Sequence, residues 1–330
     1  MNNTRNLLSK YFEIIKHQTE SKFQICKYIP VIYKKLNSTK QLWKIHDEIL
    51  SNPKYSDLKP EQSLLDLKIE LANRIFNNCC FCERRCSVDR TKKSGDCGVM
   101  KPCVTSEFLH FGEESVLVPS HTIFFSGCTF HCVFCQNGDI SQQISGFYIK
   151  PSELLNIIIN RHNQGSKNVN WVGGDPTPNL PYILETLKQL TINIPQVWNS
   201  NMYCSTETMK LLDGVIDLYL TDFKYGNDKC AKRLSLVDNY TRIVKRNHSK
   251  AYENGEMIIR HLVMPNHIEC CSKPIIKWIS ENLSNVAVNI MAQYHPEYKA
   301  YEYKDISRKI YIDEVLQVKE YAEKLGIHWI

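Results

Sequence analysis

The amino-acid sequence predicts an α/β fold: a partial (βα)6 barrel of the TIM type with a helical N-terminal extension and a cysteine-rich segment. From about residue 119 onward, short apolar segments alternate with longer segments of helical periodicity, which is the pattern of a parallel sheet covered by helices. The length of 330 residues also suits one large α/β domain with attachments. We therefore predict the extension over 1–75, the cysteine-rich segment over 76–118 and the barrel over 119–330.

The first 75 residues have the apolar spacing of helices. Leu42, Ile45 and Ile49 recur as they would on one face of a helix. Pro53 and Pro60 interrupt the pattern, because proline ends or kinks a helix. The cysteine-dense stretch that follows has little periodicity, so an irregular structure is expected there.

The barrel segment divides into six strand–helix units, which predicts an open barrel with room for a large substrate at its side. The first helix is expected to begin at Pro151 and to end near Gly165, with proline early and glycine late as helices prefer. The predicted strands are Thr122–Phe125, Val169–Val172, Gln196–Asn199, Asp217–Phe223, Met257–Val263 and Val286–Met291. Helices are predicted near 151–165, 181–190, 207–212, 239–252, 274–282 and 312–325.

Composition limits the cellular setting and the class of partner. The formal net charge of +6 comes from dispersed Lys and Arg, which permits an acidic partner but does not indicate nucleic acid. Fourteen cysteines in a chain without an apolar N-terminal signal indicate reduced thiols and bound metal, and hence a cytoplasmic location. No apolar run approaches the length of a membrane span, so no membrane association is expected.

Cys128, Cys132 and Cys135 form the most informative motif, C-x3-C-x2-C, directly after the first barrel strand. Active sites of barrels lie at the carboxyl ends of their strands. Iron–sulfur clusters are normally held by four cysteines, so three thiolates on a [4Fe–4S] cluster leave one iron open to a small molecule. The alternatives are core cysteines or a zinc site with His131 as the fourth ligand.

Further motifs follow this loop in order along the chain. The second strand ends in VGGDPTP (172–178), and the other segments are CCFCERRCSV (79–88), CQNGDIS (135–141), VWNSNMY (197–203), DLYLTDFKY (217–225), IRHLVMP (259–265) and NIMAQY (289–294). On these motifs the chain, from about Cys79 to about Tyr298, resembles the radical S-adenosylmethionine superfamily. More narrowly, it resembles the pyruvate formate-lyase activating enzyme-like group, in particular its poorly characterised branch with an extra N-terminal cysteine segment.

The resemblance implies cofactors, chemistry and partners. Cys128, Cys132 and Cys135 would hold a [4Fe–4S] cluster that binds S-adenosyl-L-methionine. Reductive cleavage of that molecule gives a 5′-deoxyadenosyl radical, which abstracts a hydrogen atom; the chemistry belongs to the cofactor and the protein orients it. The implied partners are an electron donor such as flavodoxin or ferredoxin and, from the subgroup, a protein substrate activated by formation of a glycyl radical.

The resemblance also assigns the methionine end of the cofactor pocket. Gly173, Gly174 and Asp175 would hold the methionine moiety, the glycines because they let the backbone approach a ligand closely. A plain Asp-Pro turn is the alternative interpretation.

Polar side chains at the ends of the third and fourth strands would complete the pocket and face the ribose and carboxylate of the cofactor. Their alternative roles are helix capping or solvent exposure. A buried carboxylate at Asp222 needs a partner, which Lys224 or a bound cation would supply. Arg260, within the apolar fifth strand, is expected to line the barrel as an anion clamp rather than to lie at an edge. The implied pocket residues are Asn199, Ser200, Asn201 and Asp222.

A second metal site is predicted in the cysteine-rich segment. Cys79, Cys82, Cys86 and Cys97 follow the pattern C-x2-C-x3-C-x10-C. Four thiolates suit zinc or a closed iron–sulfur cluster, and the sequence does not decide between the two. An inert cysteine-rich loop is the alternative.

The sequence leaves the substrate open. Activation of a glycyl-radical enzyme is suggested only by the name of the resembling group. A radical enzyme that modifies RNA or a small molecule is a second possibility, and an electron-transfer module that binds iron–sulfur or zinc is a third.

Overall fold

The computed structural model describes residues 2–330, and its core is one sheet of seven strands, β1 (Val104–His110), β2 (Ser120–Phe125), β3 (Val169–Gly173), β4 (Gln196–Ser200), β5 (Leu218–Asp222), β6 (Glu256–Leu262) and β7 (Ala287–Met291). The strands lie side by side in chain order. β1 is antiparallel to β2, and all later neighbours are parallel. β1 and β7 are the two edges of an open sheet, so the predicted α/β class and partial barrel are confirmed.

Thirteen α-helices are found in the described part of the chain, and those after β2 alternate with the strands. They are α1 (Asn2–Leu7), α2 (Ser9–Ile15), α3 (Lys22–Cys26), α4 (Thr39–Ser51), α5 (Leu64–Asn77), α6 (Gly138–Ser141), α7 (Pro151–Asn163), α8 (Leu180–Gln189), α9 (Thr206–Leu212), α10 (Asp228–Ser235), α11 (Tyr240–Asn254), α12 (Lys273–Asn282) and α13 (Ile312–Lys324). Every predicted strand and helix of the six units has a counterpart within a few residues.

Three of the strands and α-helices after residue 75 were not predicted. β1 follows the cysteine-dense stretch, and it is only half-buried because it forms an edge. α6 has only four residues. α10 is mostly polar and buries only Ala231, Leu234 and Ser235. All three are short elements whose pairing or packing, rather than their own pattern, defines them.

The first two helices close the amino-terminal end of the barrel. Leu8 and Tyr11 are fully buried in one apolar cluster with Leu218, Leu220 and Ile258. Tyr219, between the two leucines, belongs instead to a second apolar cluster, which includes the covering helices. Since alternate residues of a strand face opposite sides of a sheet, Leu218 and Leu220 point into the barrel. The N-terminal extension therefore supplies part of the barrel interior.

The remaining N-terminal helices pack on the outside of the barrel. α5 begins with a capping box, in which the Ser63 hydroxyl accepts from the Asp66 amide and the Asp66 carboxylate accepts from the Ser63 amide. Leu67 and Leu71 of this helix lie in the same apolar core as Leu184 of α8. The predicted helical character of residues 1–75 is thus observed, in helices that share the core of the barrel.

Candidate active site

The cysteine loop leaves β2 at the carboxyl end of the sheet and lines a cavity of about 590 Å³. The Cys128 sulfur accepts from the Phe130 amide at 3.3 Å. The Cys132 sulfur lies 2.9 Å from the Ser235 hydroxyl, and the Cys135 sulfur lies 3.2 Å from that of Ser141. All three thiols line the cavity, so the structure brings together the three residues that the motif singled out.

Backbone constraints fix the start of this loop. Gly127 has φ +83°, and a Cβ there would lie 2.3 Å from a Val99 methyl group. The Ser126 hydroxyl donates to the Ile140 and Gln143 carbonyls at 3.1 and 2.9 Å. The loop is thereby tied at both ends before any cofactor binds, which favours a preformed ligand set.

Sulfur spacing distinguishes a cluster from a single ion. In a tetrahedral zinc site with Zn–S bonds of about 2.3 Å the sulfurs lie roughly 3.8 Å apart. Among the described residues, only one group of three Cys, His, Asp or Glu side chains brings its ligand atoms within 4.8 Å of one another, and it does not involve this loop. The three loop thiols together therefore do not show the close spacing of ligands around a single ion.

His131 is not placed as a fourth zinc ligand. Its Nδ1 lies 2.8 Å from the Gln142 side-chain oxygen, and its Nε2 lies 2.8 Å from the Asp96 carboxylate. Both ring nitrogens are thus engaged by protein groups, so the structure does not support the zinc alternative for this loop.

A cation lies beside the loop thiols. Burial raises the pKa of Cys132 to about 12, Cys135 adds to the rise and Lys224 opposes it. The Lys224 ammonium pairs with the Asp222 carboxylate, so the expected partner of Asp222 is present in the structure. Burial disfavours the charge of Lys224, but Asp222 and Cys132 together raise its pKa above the usual value. Without a bound metal the net effect favours the neutral thiol of Cys132, and Lys224 lessens the rise of its pKa.

Gly173 and Gly174 line the cavity, but their closest neighbours are protein backbone. A Cβ at Gly173 would lie 2.1 Å from the Phe125 carbonyl oxygen, and one at Gly174 would lie 2.1 Å from that of Gly127. Gly173 also has φ +129°. The close approach expected at these glycines is thus to β2 and the cysteine loop, and glycine is required there whether or not a ligand binds.

Asp175 is buried and does not line the cavity. Its carboxylate accepts from the Thr177 amide at 2.9 Å, the Ser200 hydroxyl at 2.9 Å and the Asn201 amide at 3.1 Å. Burial raises the pKa of Asp175, and these hydrogen bonds oppose the rise. In this arrangement the carboxylate ties the end of β3 to the end of β4.

The polar residues after β4 lie beside the cysteine loop. Asn199, Ser200 and Asn201 all line the cavity. The side-chain amide nitrogen of Asn201 donates to the Thr129 hydroxyl at 2.8 Å and lies 3.7 Å from the Cys128 sulfur. The structure therefore places these three residues, with Asp222, around the same cavity as the three thiols.

The opposite wall of the cavity carries charged side chains that the sequence analysis only partly identified. Arg260 lines the barrel as expected, but the anions that it binds are the protein's own Glu113 and Glu114. The Asn289 amide donates to Glu114 at 2.8 Å. Burial raises the pKa of Glu114, but the Arg260 guanidinium and the hydrogen bonds to the carboxylate together lower it more, so the pKa lies below its usual value. Glu113 and Glu114 lie in the loop between β1 and β2. Their adjacency is the only feature of the sequence that could have drawn attention to them.

The N-terminal cysteines are brought near one another. Burial raises the pKa of Cys82 well above its usual value, and Cys97, Cys79 and Cys86 contribute to the rise because they lie within electrostatic range. The Cys86 sulfur accepts from the Asp96 amide at 3.4 Å. Like those of the cysteine loop, their sulfurs do not form a group of three within 4.8 Å among the described residues.

The residues around the cysteine loop fit the implied [4Fe–4S] cluster and S-adenosylmethionine. Three thiols on one loop face an open cavity, and polar strand ends surround the remaining space.

Within residues 2–330, no helix has both the length and the apolar character needed to cross a membrane.

Comparison with known proteins adds the family. Residues 122–279 match the model of the radical SAM superfamily. An uncharacterized protein of Methanocaldococcus jannaschii is 50% identical over 336 residues, a match that covers 98% of this chain and 99% of the relative.

Solved structures are only distantly similar to this chain. SuiB from Streptococcus suis bound to S-adenosylmethionine matches with a TM-score of 0.45 at 14% identity, over 62% of this chain and 47% of SuiB. A radical SAM methyltransferase from Sphaerobacter thermophilus matches with a TM-score of 0.45 at 11% identity, over 64% of this chain and 65% of that protein. The chain spans about half the length of SuiB.

The family match begins in β2 and includes the cysteine loop, the Gly-Gly-Asp-Pro turn and the polar ends of β4 and β5. Residues 122–279 therefore form a radical S-adenosylmethionine superfamily domain.

Proposed function

We propose that the protein is an enzyme that binds a [4Fe–4S] cluster on Cys128, Cys132 and Cys135 and S-adenosylmethionine in the adjoining cavity. The observation that carries the proposal is that these three thiols, the glycines at the end of β3 and the polar ends of β4 and β5 line one cavity. When bound, the cluster supplies the electron that cleaves the sulfonium and yields a 5′-deoxyadenosyl radical for hydrogen abstraction.

The surrounding residues have separate tasks in this proposal. The backbone at Gly173 and Gly174 meets the methionine end, and Asn199, Ser200 and Asn201 bind the polar groups of the cofactor. Asp175 holds Ser200 and Asn201 in place through the hydrogen bonds described above. Lys224, paired with Asp222, offsets negative charge beside Cys132.

The substrate is proposed to be a protein segment, in keeping with glycyl-radical activation. The cavity is lined by His110 at one edge of the sheet and by Met291 at the other, which supports entry through the open side of the barrel. Phe108 and Phe111, on and beside β1, are exposed, and exposed apolar groups near a cavity favour protein contacts. Strand edges can also pair with extended peptides.

Charge on the cavity wall favours a peptide over RNA. Two carboxyl groups, those of Glu113 and Glu114, face the single guanidinium of Arg260. The surplus is negative, and phosphate groups are recognised by positive charge. By contrast, the overall charge of +6 suits an acidic electron donor of the flavodoxin or ferredoxin type.

The function is tested by anaerobic reconstitution with iron and sulfide, reduction, and incubation with S-adenosylmethionine. Methionine and 5′-deoxyadenosine should form, whereas Cys132→Ala should lose both the cluster spectrum and the products. Cys103→Ser, which changes a cysteine outside the predicted metal sites, is the matched control. An electron-transfer module would hold a reducible cluster without cleaving the cofactor, and that result would reject the proposal.

The substrate class is tested by deuterium transfer. Extract from cells grown in deuterated medium is separated into protein, RNA and small-molecule fractions, and each is added to the reduced enzyme. Deuterium in 5′-deoxyadenosine should come from the protein fraction and disappear after protease treatment. Transfer from the RNA or small-molecule fraction would instead establish the corresponding alternative.

We further propose that Cys79, Cys82, Cys86 and Cys97 hold a second, closed metal site, either a zinc ion or an iron–sulfur cluster. Metal binding to thiolates contributes folding free energy, so the site would stabilise the segment between α5 and β1. Cys82→Ser should lower the metal content beyond the one cluster of the cysteine loop and reduce thermal stability while sparing the spectral response to S-adenosylmethionine. Iron for only one cluster in the wild type, with no zinc, would contradict the second site.

A further inference from the structure

Three cysteines outside both predicted sites converge on the carboxyl side of the sheet. Cys230 lies in α10, and Cys270 and Cys271 lie in a π-helical turn, Ile268–Ser272, that follows β6. The sulfurs of Cys230 and Cys270 are 4.0 Å apart, and those of Cys270 and Cys271 are 3.8 Å apart. All three lie within 4.8 Å of one another, and they are the single such group of three metal-ligand side chains in residues 2–330.

The sulfur spacing is that of ligands around one ion. Three sulfurs at about 2.3 Å from zinc lie roughly 3.8 Å apart in a tetrahedral arrangement and about 4.0 Å apart in a trigonal plane. A disulfide, in contrast, needs an S–S distance of about 2.05 Å, so the observed pairs are free thiols. Soft thiolate ligands select zinc or Cu(I) over hard cations.

The fold prepares this arrangement without a ligand. The Asn227 side chain accepts from the Cys230 amide at 2.8 Å and donates to the Cys270 carbonyl at 2.8 Å. One amide thereby joins the start of α10 to the π-helical turn. A Cβ at Gly226 would lie 2.8 Å from the Cys270 and Cys271 carbonyl oxygens, so glycine permits the two segments to touch. Single π-helical turns are frequent at functional sites.

From this geometry we propose that Cys230, Cys270 and Cys271 bind one thiophilic metal ion, for which Zn²⁺ is the probe. Cys271 is buried, Cys230 is half-buried and Cys270 is exposed, so the fourth position faces solvent and is taken by water. Three protein ligands and a water complete a tetrahedral zinc shell. The site is separate from the two cysteine metal sites proposed above and does not depend on them.

The bound ion would fix the helix that supports the catalytic loop. α10 ends at Ser235, whose hydroxyl contacts the Cys132 sulfur at 2.9 Å and the Tyr225 hydroxyl at 2.5 Å. The same helix carries Cys230 near its start. An ion that joins Cys230 to the turn after β6 therefore restrains the position of Ser235.

The test uses the full-length protein, anaerobically reconstituted with iron and sulfide, with and without Zn²⁺. Peptide-level mass spectrometry follows alkylation of each cysteine by iodoacetamide. Zn²⁺ should slow alkylation of Cys270 by about tenfold or more, since a bound thiolate reacts only in the fraction of molecules from which the metal has dissociated. An unchanged alkylation rate at Cys270 would overturn the proposal, as would a Cys230–Cys270 disulfide without zinc uptake.

Variants locate the ligands. After removal of excess metal, the double variant Cys230→Ser, Cys270→Ser should retain one Zn²⁺ fewer per chain than the wild type, with unchanged iron. Cys103→Ser, at a half-buried cysteine outside the three groups, should retain the wild-type amount. Asn227→Ala keeps all three thiols but should weaken the protection of Cys270. Equal zinc in the wild type and a folded double variant would overturn the assignment; if the double variant does not fold, the alkylation test on the wild type decides alone.

Discussion

Substitution of Gly174 by alanine tests whether backbone packing holds the cysteine loop. The added Cβ would lie 2.1 Å from the Gly127 carbonyl oxygen, against a practical lower limit of 3.0 Å, and 3.0 Å from the Ser141 Cα. Both neighbours are backbone, so they cannot rotate away as a side chain would. The loop must shift by roughly 1 Å, and overpacking of this kind typically costs about 1–3 kcal/mol.

The shift is expected to reach the cluster ligands, because Gly127 directly precedes Cys128 and Ser141 contacts the Cys135 sulfur. Gly174→Ala should lower the thermal midpoint of the apoprotein by about 2–12 °C, given a sensitivity of roughly 2–4 °C per kcal/mol for large domains. It should also lower iron per chain after anaerobic reconstitution. Differential scanning fluorimetry and iron analysis provide the two measurements.

A nearby glycine offers a matched control. A Cβ at Gly138 would lie 3.3 Å from the Tyr298 ring, which can move. Gly138→Ala should therefore leave both the midpoint and the iron content near wild-type values. If Gly174→Ala retained full iron and an unchanged midpoint, while S-adenosylmethionine binding was lost, the glycine would serve the ligand rather than the loop, and our reasoning would be refuted.

Two further predictions concern ionisable side chains in the protein interior. Arg260→Met should lower the free energy of unfolding by about 3–5 kcal/mol in chemical denaturation, because Glu113 and Glu114 lose their buried partner. Adding Glu114→Gln should restore part of the loss, and an unchanged denaturation midpoint in Arg260→Met would contradict the pairing. Burial lowers the pKa of His248 to about 4 and that of His261 to about 4, so below about pH 6.5 the unfolded chain takes up protons that the folded state does not. Each histidine should lower the free energy of unfolding by up to about 3 kcal/mol as the pH falls from 6.5 to 4. In chemical denaturation, His248→Phe should lose less stability over that pH range than the wild type. An identical pH dependence in the two proteins would show that His248 does not contribute.

The sequence alone was sufficient to predict the barrel and the position of its cysteine loop, for a local reason. Cys128, Cys132 and Cys135 lie within eight residues, so their proximity is fixed by the chain itself. The alternation of strands and helices is likewise a local pattern, and it predicted all six units. The polar ends of neighbouring parallel strands meet at one edge of a sheet, so Asn199 and Asp222 could be placed near the loop once the strands were known.

Tertiary structure decided what depends on contacts between distant segments. The carboxylate of Asp175 turned out to bind Ser200 and Asn201, and the anions beside Arg260 turned out to come from Glu113 and Glu114, about 146 residues away along the chain. Cys230 and Cys270 are 40 residues apart, and no spacing rule relates them. Such pairings follow from how β5, β6 and the loops beside them pack in three dimensions, and a one-dimensional pattern does not contain that information.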